Sequence, residues 1–158
     1  MSSHTATITW TLPPTATPDD FKRGKYSREH FWSFDGGLNL PASPSPSVVP
    51  TPWSNPASVD PEEAFVASVA SCHMLTYLWV ASKQGFLISA YIDAAVGAMT
   101  KNEKGVMWIS AITLHPQITY ADGKSPTPAE ADHLHHLAHE QCFIANSIKT
   151  AVTVETKS

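Results

Sequence analysis

Residues Asp60–Phe86 read DPEEAFVASVASCHMLTYLWVASKQGF, and nineteen of them in a row, Ala64 to Ser82, carry no formal charge. Such a run is a segment buried on most of its sides. Its ends are those of a helix. Asp60 suits the N-cap and Pro61 the first helical position, while Glu63, three residues after the cap, can reach back to the cap amide and favours the helix dipole. At the other end Lys83 suits the negative terminus, and Gly85 can take the left-handed conformation that closes a helix. A helix over residues 61–84 would be about 36 Å long. Cys72 lies near its middle, so a buried thiol is expected there.

A run of this length also raises the question of a membrane span, for which about 18 apolar residues suffice. Ser68, Ser71, His73, Thr76 and Ser82 interrupt it, there is no second such run, and its flanks show no positive-inside pattern. The expectation is a core helix and no membrane.

The whole chain has 158 residues, a formal charge of -4 and a pI near 6.0, which leaves no electrostatic footprint for nucleic acid. Two cysteines make no disulfide scaffold, and MSSHTATITWTL lacks the basic-then-apolar order of a secretory leader. The expected location is cytoplasmic, where thiols rest reduced and a disulfide between them would be catalytic or regulatory.

Outward from the helix, Ala6–Leu12 and Ser27–Phe34 alternate as strands, and Asp35-Gly36-Gly37 signals a hairpin returning through Leu38 and Leu40. The polar stretch Thr15–Lys25 between the strands has no assigned element. Residues 41–56 hold six prolines in sixteen positions and read as a stiff, extended loop that packs on something. Beyond the helix, Leu87–Met99 and Val106–Tyr120 read as two long strands about the turn Lys101–Gly105. Thr127-Pro128-Ala129-Glu130 is a capping box opening a second helix that gives way around Cys142, and Ala151–Glu155 is a last strand. The expectation is one α+β domain over residues 1–158: a β region (1–56), the central helix and a C-terminal ββαβ part (87–155), its sheets antiparallel around the long helix.

Two constellations could carry chemistry. Cys72 and Cys142 could form a two-thiol redox centre if the fold brings them together: one thiolate attacks a peroxide oxygen, and the other condenses with the resulting sulfenic acid. Such a thiolate needs a balancing charge, for which arginine is suited, and the chain has only Arg23 and Arg28. The second constellation is His133, His135, His136, His139, Glu140 and Cys142, whose spacings suit a zinc site, although histidines on such a helix are more often a solvated polar face. His73 points about 100° away from Cys72 on an ideal helix and reads as a supporting or core histidine. Phe65, Met74, Tyr77, Trp79 and Phe143 could line an apolar pocket, or simply fill the core.

The segments DPEEAFVASVASCHMLTYL and HLAHEQCFIANSIKTAVTVE together resemble the osmotically inducible protein C and organic hydroperoxide resistance superfamily, and the likeness runs from about Ser27 to Glu155. The resemblance implies an α+β fold in an intertwined homodimer. It also implies reduction of organic hydroperoxides by cysteine chemistry with no metal or bound cofactor, and a dithiol reductant such as a lipoyl-bearing protein. On the matching motifs Cys72 is the peroxidatic thiol, Cys142 the resolving thiol, and Glu62 the glutamate that holds the catalytic arginine. Arg28 is the best match for that arginine, with Arg23 as the alternative. Two further readings stand beside this one: a metal-binding module through the second-helix histidines, and a non-catalytic dimeric domain that binds a hydrophobic small molecule.

Overall fold

A computed structural model describes residues 1–156, so the expected domain of residues 1–158 runs two residues beyond those described. The chain divides into two compact units, Met1–Ala64 and Phe65–Ser158.

The N-terminal unit is an antiparallel sheet in the order β1 (Ala6–Thr9), β2 (His30–Phe34), β3 (Asn39–Ala42). The hairpin forms where expected: Phe34 N–H donates to Leu38 O, and Gly37 takes φ 84°, a value that costs a glycine little. The unassigned stretch contains a short helix, α1 (Pro18–Lys22), set by a Thr17–Asp20 capping box and Pro18. The proline-rich loop packs back on its own sheet. Trp53 O accepts from Arg28 N–H, Ser43 Oγ from Asn55 N–H, and Glu29 Oε2 from the Asn55 side chain.

Helix α2 (Pro61–Lys83) starts as its caps dictate: Glu63 N–H donates to Asp60 Oδ1 at 2.7 Å, and Asp60 N–H donates to Glu63 Oε2 at 3.2 Å. Each of the two long strands expected after it breaks in the middle. The first becomes β4 (Ile88–Asp93) and β5 (Val96–Lys101), the second β6 (Met107–Leu114) and β7 (Pro116–Tyr120). β4 pairs with β7 in one sheet, while β5 and β6 pair in another. The corner is made at Ala94-Ala95 and His115-Pro116. Asp93 Oδ1 accepts from His115 N–H, and Pro116 has no N–H to carry a ladder onward. Helix α3 (Pro128–Gln141) follows its Thr127–Glu130 capping box, then a 3-10 turn (Ala145–Ser147), then β8 (Ala151–Val154). β8 joins β6 in parallel, so the expectation of purely antiparallel sheets is corrected. The α3 crossover makes this possible, since parallel neighbours need a long connection.

Two hydrophobic clusters hold the C-terminal unit. Tyr77, Val80, Ala81 and Phe86 meet Leu134 and Ala138 of α3 over the β4–β7 sheet, and Val69 meets Ile112 and Leu114 of β6. Along α2 the buried stripe is Val69, His73, Tyr77, Val80 and Ala81, the spacing of one helical face. The opposite face is open. Leu75 is 60% exposed and Trp79 57%, so α2 is not enclosed on most sides as its composition implies. It is long and apolar enough to cross a membrane by length and composition alone, yet that same composition serves a helix with one face in two cores.

Candidate active site

Cys72 sits at the border between the two faces of α2, and Thr76 Oγ donates to its carbonyl one turn on. It is half-buried, whereas the sequence suggested full burial, because the exposed face of α2 passes beside it. Cys142 is 1% exposed and forms the C-cap of α3, where the backbone turns extended (φ -70°, ψ 113°). Asn146 fixes that corner: its side chain donates to Glu140 O at 2.8 Å and to Cys142 O at 2.9 Å, satisfying carbonyls that the helix end leaves free.

The two thiols meet. Cys142 Sγ donates to Cys72 Sγ at 2.7 Å, and both are free. Burial pushes the Cys142 thiol up to about 11, with the hydrogen bond to Cys72 acting the same way and the Ala145 N–H opposing. Cys142 is therefore held as the protonated thiol at neutral pH, its sulfur against that of Cys72. A disulfide of about 2.05 Å lies a small movement away.

Cys72 opens on a groove of about 920 Å³, walled chiefly by Leu75, Trp79, Phe143 and Ile144. Phe143 is 84% exposed, and Lys83 lies over the Trp79 ring at 4.1 Å. Of the five expected pocket residues only Trp79 and Phe143 line this groove; Tyr77 is wholly buried on the opposite face of α2, and Phe65 packs with the Val69 cluster. The helical phase decides this, and the groove residues Leu75 and Ile144 were not read from the sequence.

The charged candidates stand in the N-terminal unit. Arg28 Nη1 donates to Gly24 O and Tyr26 O, and its guanidinium lies 4.2 Å from the centre of the Tyr26 ring. Glu62 is half-buried in the first turn of α2. Among the described residues no ion pair joins Arg28 to Glu62, while Arg23 approaches Asp19 at 4.0 Å on the surface. The histidines of α3 separate: His135 is buried against His73, His136 pairs with Glu140 at 3.2 Å, and no group of three or more metal-ligating side chains gathers among the described residues.

An α+β unit in which two free thiols from two helices touch at the head of an apolar groove is a dithiol-site protein. The family model described as OsmC-like protein matches residues 54–157, and the chain belongs to that family. An OsmC-like protein of unknown function from Vibrio cholerae is 47% identical, with a TM-score of 0.93 over 99% of this chain and 100% of that one. The fold is shared with an organic hydroperoxide resistance protein from Legionella pneumophila (18% identity, TM-score 0.69, 99% and 96% covered). It is shared too with the organic hydroperoxide resistance protein OhrB of Bacillus subtilis (20% identity, TM-score 0.67, 99% and 98% covered). None of the curated proteins matches this chain.

Proposed function

We propose that this chain is a cytoplasmic thiol peroxidase that reduces organic hydroperoxides through Cys72 and Cys142. The observation that carries the reading is the 2.7 Å contact in which a protonated Cys142 donates to Cys72 beside an apolar groove. The Cys72 thiolate attacks the terminal oxygen of the hydroperoxide, the O–O bond breaks, and the alkoxide takes up a proton and leaves as an alcohol. Cys72 is now a sulfenic acid. The Cys142 sulfur then bonds to it, and hydroxide departs with the Cys142 proton as water. A dithiol reductant, such as a lipoyl group, supplies two electrons and two protons to reopen the disulfide.

Arg28 and Glu62 enter on the family resemblance, as a guanidinium that steadies thiolate and peroxide and a carboxylate that orients it. Their pairing is proposed for a homodimer, a state favoured by large apolar side chains left open: Leu75 and Phe143 in one unit, Ile8 (58%) and Phe31 (53%) in the other. A particle of one chain mass, 17.1 kDa, in sedimentation equilibrium would contradict the dimer.

The test follows loss of cumene hydroperoxide, tert-butyl hydroperoxide and hydrogen peroxide with dihydrolipoamide or glutathione. The organic peroxides and dihydrolipoamide should be preferred. Arg28→Ala should slow turnover and Arg28→Lys restore little of it. A preference for hydrogen peroxide, or equal rates with glutathione, would count against the substrate and the reductant respectively.

A further inference from the structure

Besides the thiol pair, the two cysteine-bearing helices share a polar contact in their buried interface. His73 Nε2 of α2 and His135 Nδ1 of α3 lie 3.1 Å apart, their rings within 10° of parallel and 5.4 Å between centres. His73 is 1% exposed and His135 6%. His73 follows Cys72 directly, and His135 stands seven residues, about two turns, before Cys142. We infer that His73 and His135 are positioning residues, a neutral imidazole latch that holds α3 on α2 so that Cys142 stands ready to close on the Cys72 sulfenic acid, and that mild acid releases it.

The contact is lost when both rings are charged; a single added proton keeps one N–H facing a bare nitrogen but places a charge in a dry interface. A single proton sits between the two facing nitrogens, one ring donating and the other accepting; two imidazolium rings would set N–H against N–H. The surroundings keep both neutral. Burial holds His73 down to about 4, with the charges of His135 and His139 acting the same way. Burial likewise holds His135 down to about 4, opposed by Asp132. From α2 the neighbouring group is Tyr77, whose ring centre is 4.3 Å from that of His135. Tyr77 is itself bonded to Tyr120 of β7 at 2.7 Å and packed against Tyr91 of β4, and burial keeps Tyr77 and Tyr91 well above the ordinary phenol value. The groups that face the pair are thus uncharged phenols, His139 and Asp132, and only Asp132 favours protonation. As both histidine values lie below the ordinary 6.5, the latch is intact above about 6.5 and is lost as pH falls towards 4. The pair titrates as a unit, since the two rings share the bond.

This inference rests on the thiol-peroxidase reading, and the experiment separates the two. The protein is treated with one equivalent of cumene hydroperoxide in a fixed excess of dimedone, and mass spectrometry partitions Cys72 between the dimedone adduct and the Cys72–Cys142 disulfide. This ratio reports ring closure independently of the first step, and Cys142→Ser at each pH corrects for the dimedone reaction. The adduct-to-disulfide ratio of the wild type should rise between pH 6.5 and 4.5. His135→Leu should raise it at pH 7 by roughly tenfold, the scale of one lost buried hydrogen bond. The double variant His73→Gln, His135→Asn keeps a donor and an acceptor near the same atoms without a titrating ring; it should close as the wild type does at pH 7 and show only the shallower acid rise that the falling Cys142 thiolate fraction gives every variant. If His135→Leu fails to fold, the pH profile of the double variant decides. A double variant whose acid rise is as steep as that of the wild type overturns the latch. Absence of both disulfide and adduct overturns the peroxidase reading and the latch with it, whereas disulfide formation indifferent to the histidines overturns the latch alone.

Discussion

Among single residues, the asymmetry between the two thiols carries the most. Cys142 is buried at a helix end and protonated; Cys72 is half-buried at the edge of an open groove and receives its hydrogen bond. Burial acts on Cys142 in the direction that suits a resolving thiol, because a thiol whose pKa is pushed up carries less thiolate at neutral pH. Iodoacetamide at pH 7.5 should therefore label Cys72 first, and Cys142 at least about tenfold more slowly in the folded protein. Equal labelling, followed by peptide mass spectrometry, would show that Cys142 is neither shielded nor held as a thiol. The residue types were legible in the sequence and their environment was not. A thiol in the middle of an uncharged run reads as enclosed, yet burial follows from which side of the helix meets a neighbour. The same phase left Leu75 out of the expected pocket, whereas Tyr77, read as pocket or core, lies in the core.

Among elements, α2 is the frame, and its limits were readable because they are local chemistry: Asp60, Pro61 and Glu63 at one end, Lys83 and Gly85 at the other. Its seat on the β5–β6–β8 sheet is equally specific. A methyl group built at Gly97 of β5 would stand 2.5 Å from Val66 Cγ2, so only glycine lets helix and strand approach this closely. Gly97→Ala should destabilise the protein by about 1–3 kcal/mol in urea unfolding, the usual cost of overpacking, and Val66→Ala in the same chain should recover part of that loss. No loss on Gly97→Ala would mean that the helix sits further from the strand. The breaks in the long strands escaped the sequence because periodicity of two continues through Ala94-Ala95. Only the Asp93 side chain bonded to the His115 amide, with Pro116 next to it, turns the hairpin into another sheet. The missed α1 had a clear signal in Thr17-Pro18-Asp19-Asp20, a capping box whose helix is too short for a hydrophobic period to announce. The parallel seat of β8 is a long-range choice that no local pattern encodes.

For the whole molecule, the family was legible from two cysteine motifs, and the match over residues 54–157 agrees with where those motifs lie. That the two cysteines, far apart in sequence, touch is a property of the fold: α2 and α3 cross over the β4–β7 sheet, and the corner at Asn146 turns Cys142 toward α2. The apolar side chains left open belong to the same scale, since a lone chain gains nothing by exposing Phe143 or Leu75. The claim that joins these observations is that Cys72 attacks and Cys142 resolves. It is tested most directly by a single turnover without reductant, in which hydroperoxide consumed per chain is counted for wild type, Cys72→Ser and Cys142→Ser. The account predicts about one equivalent for the wild type, ending as disulfide, and about one for Cys142→Ser, ending as sulfenic acid, because the first step needs one thiolate. Cys72→Ser should consume none. Consumption by Cys72→Ser equal to that of Cys142→Ser would contradict it.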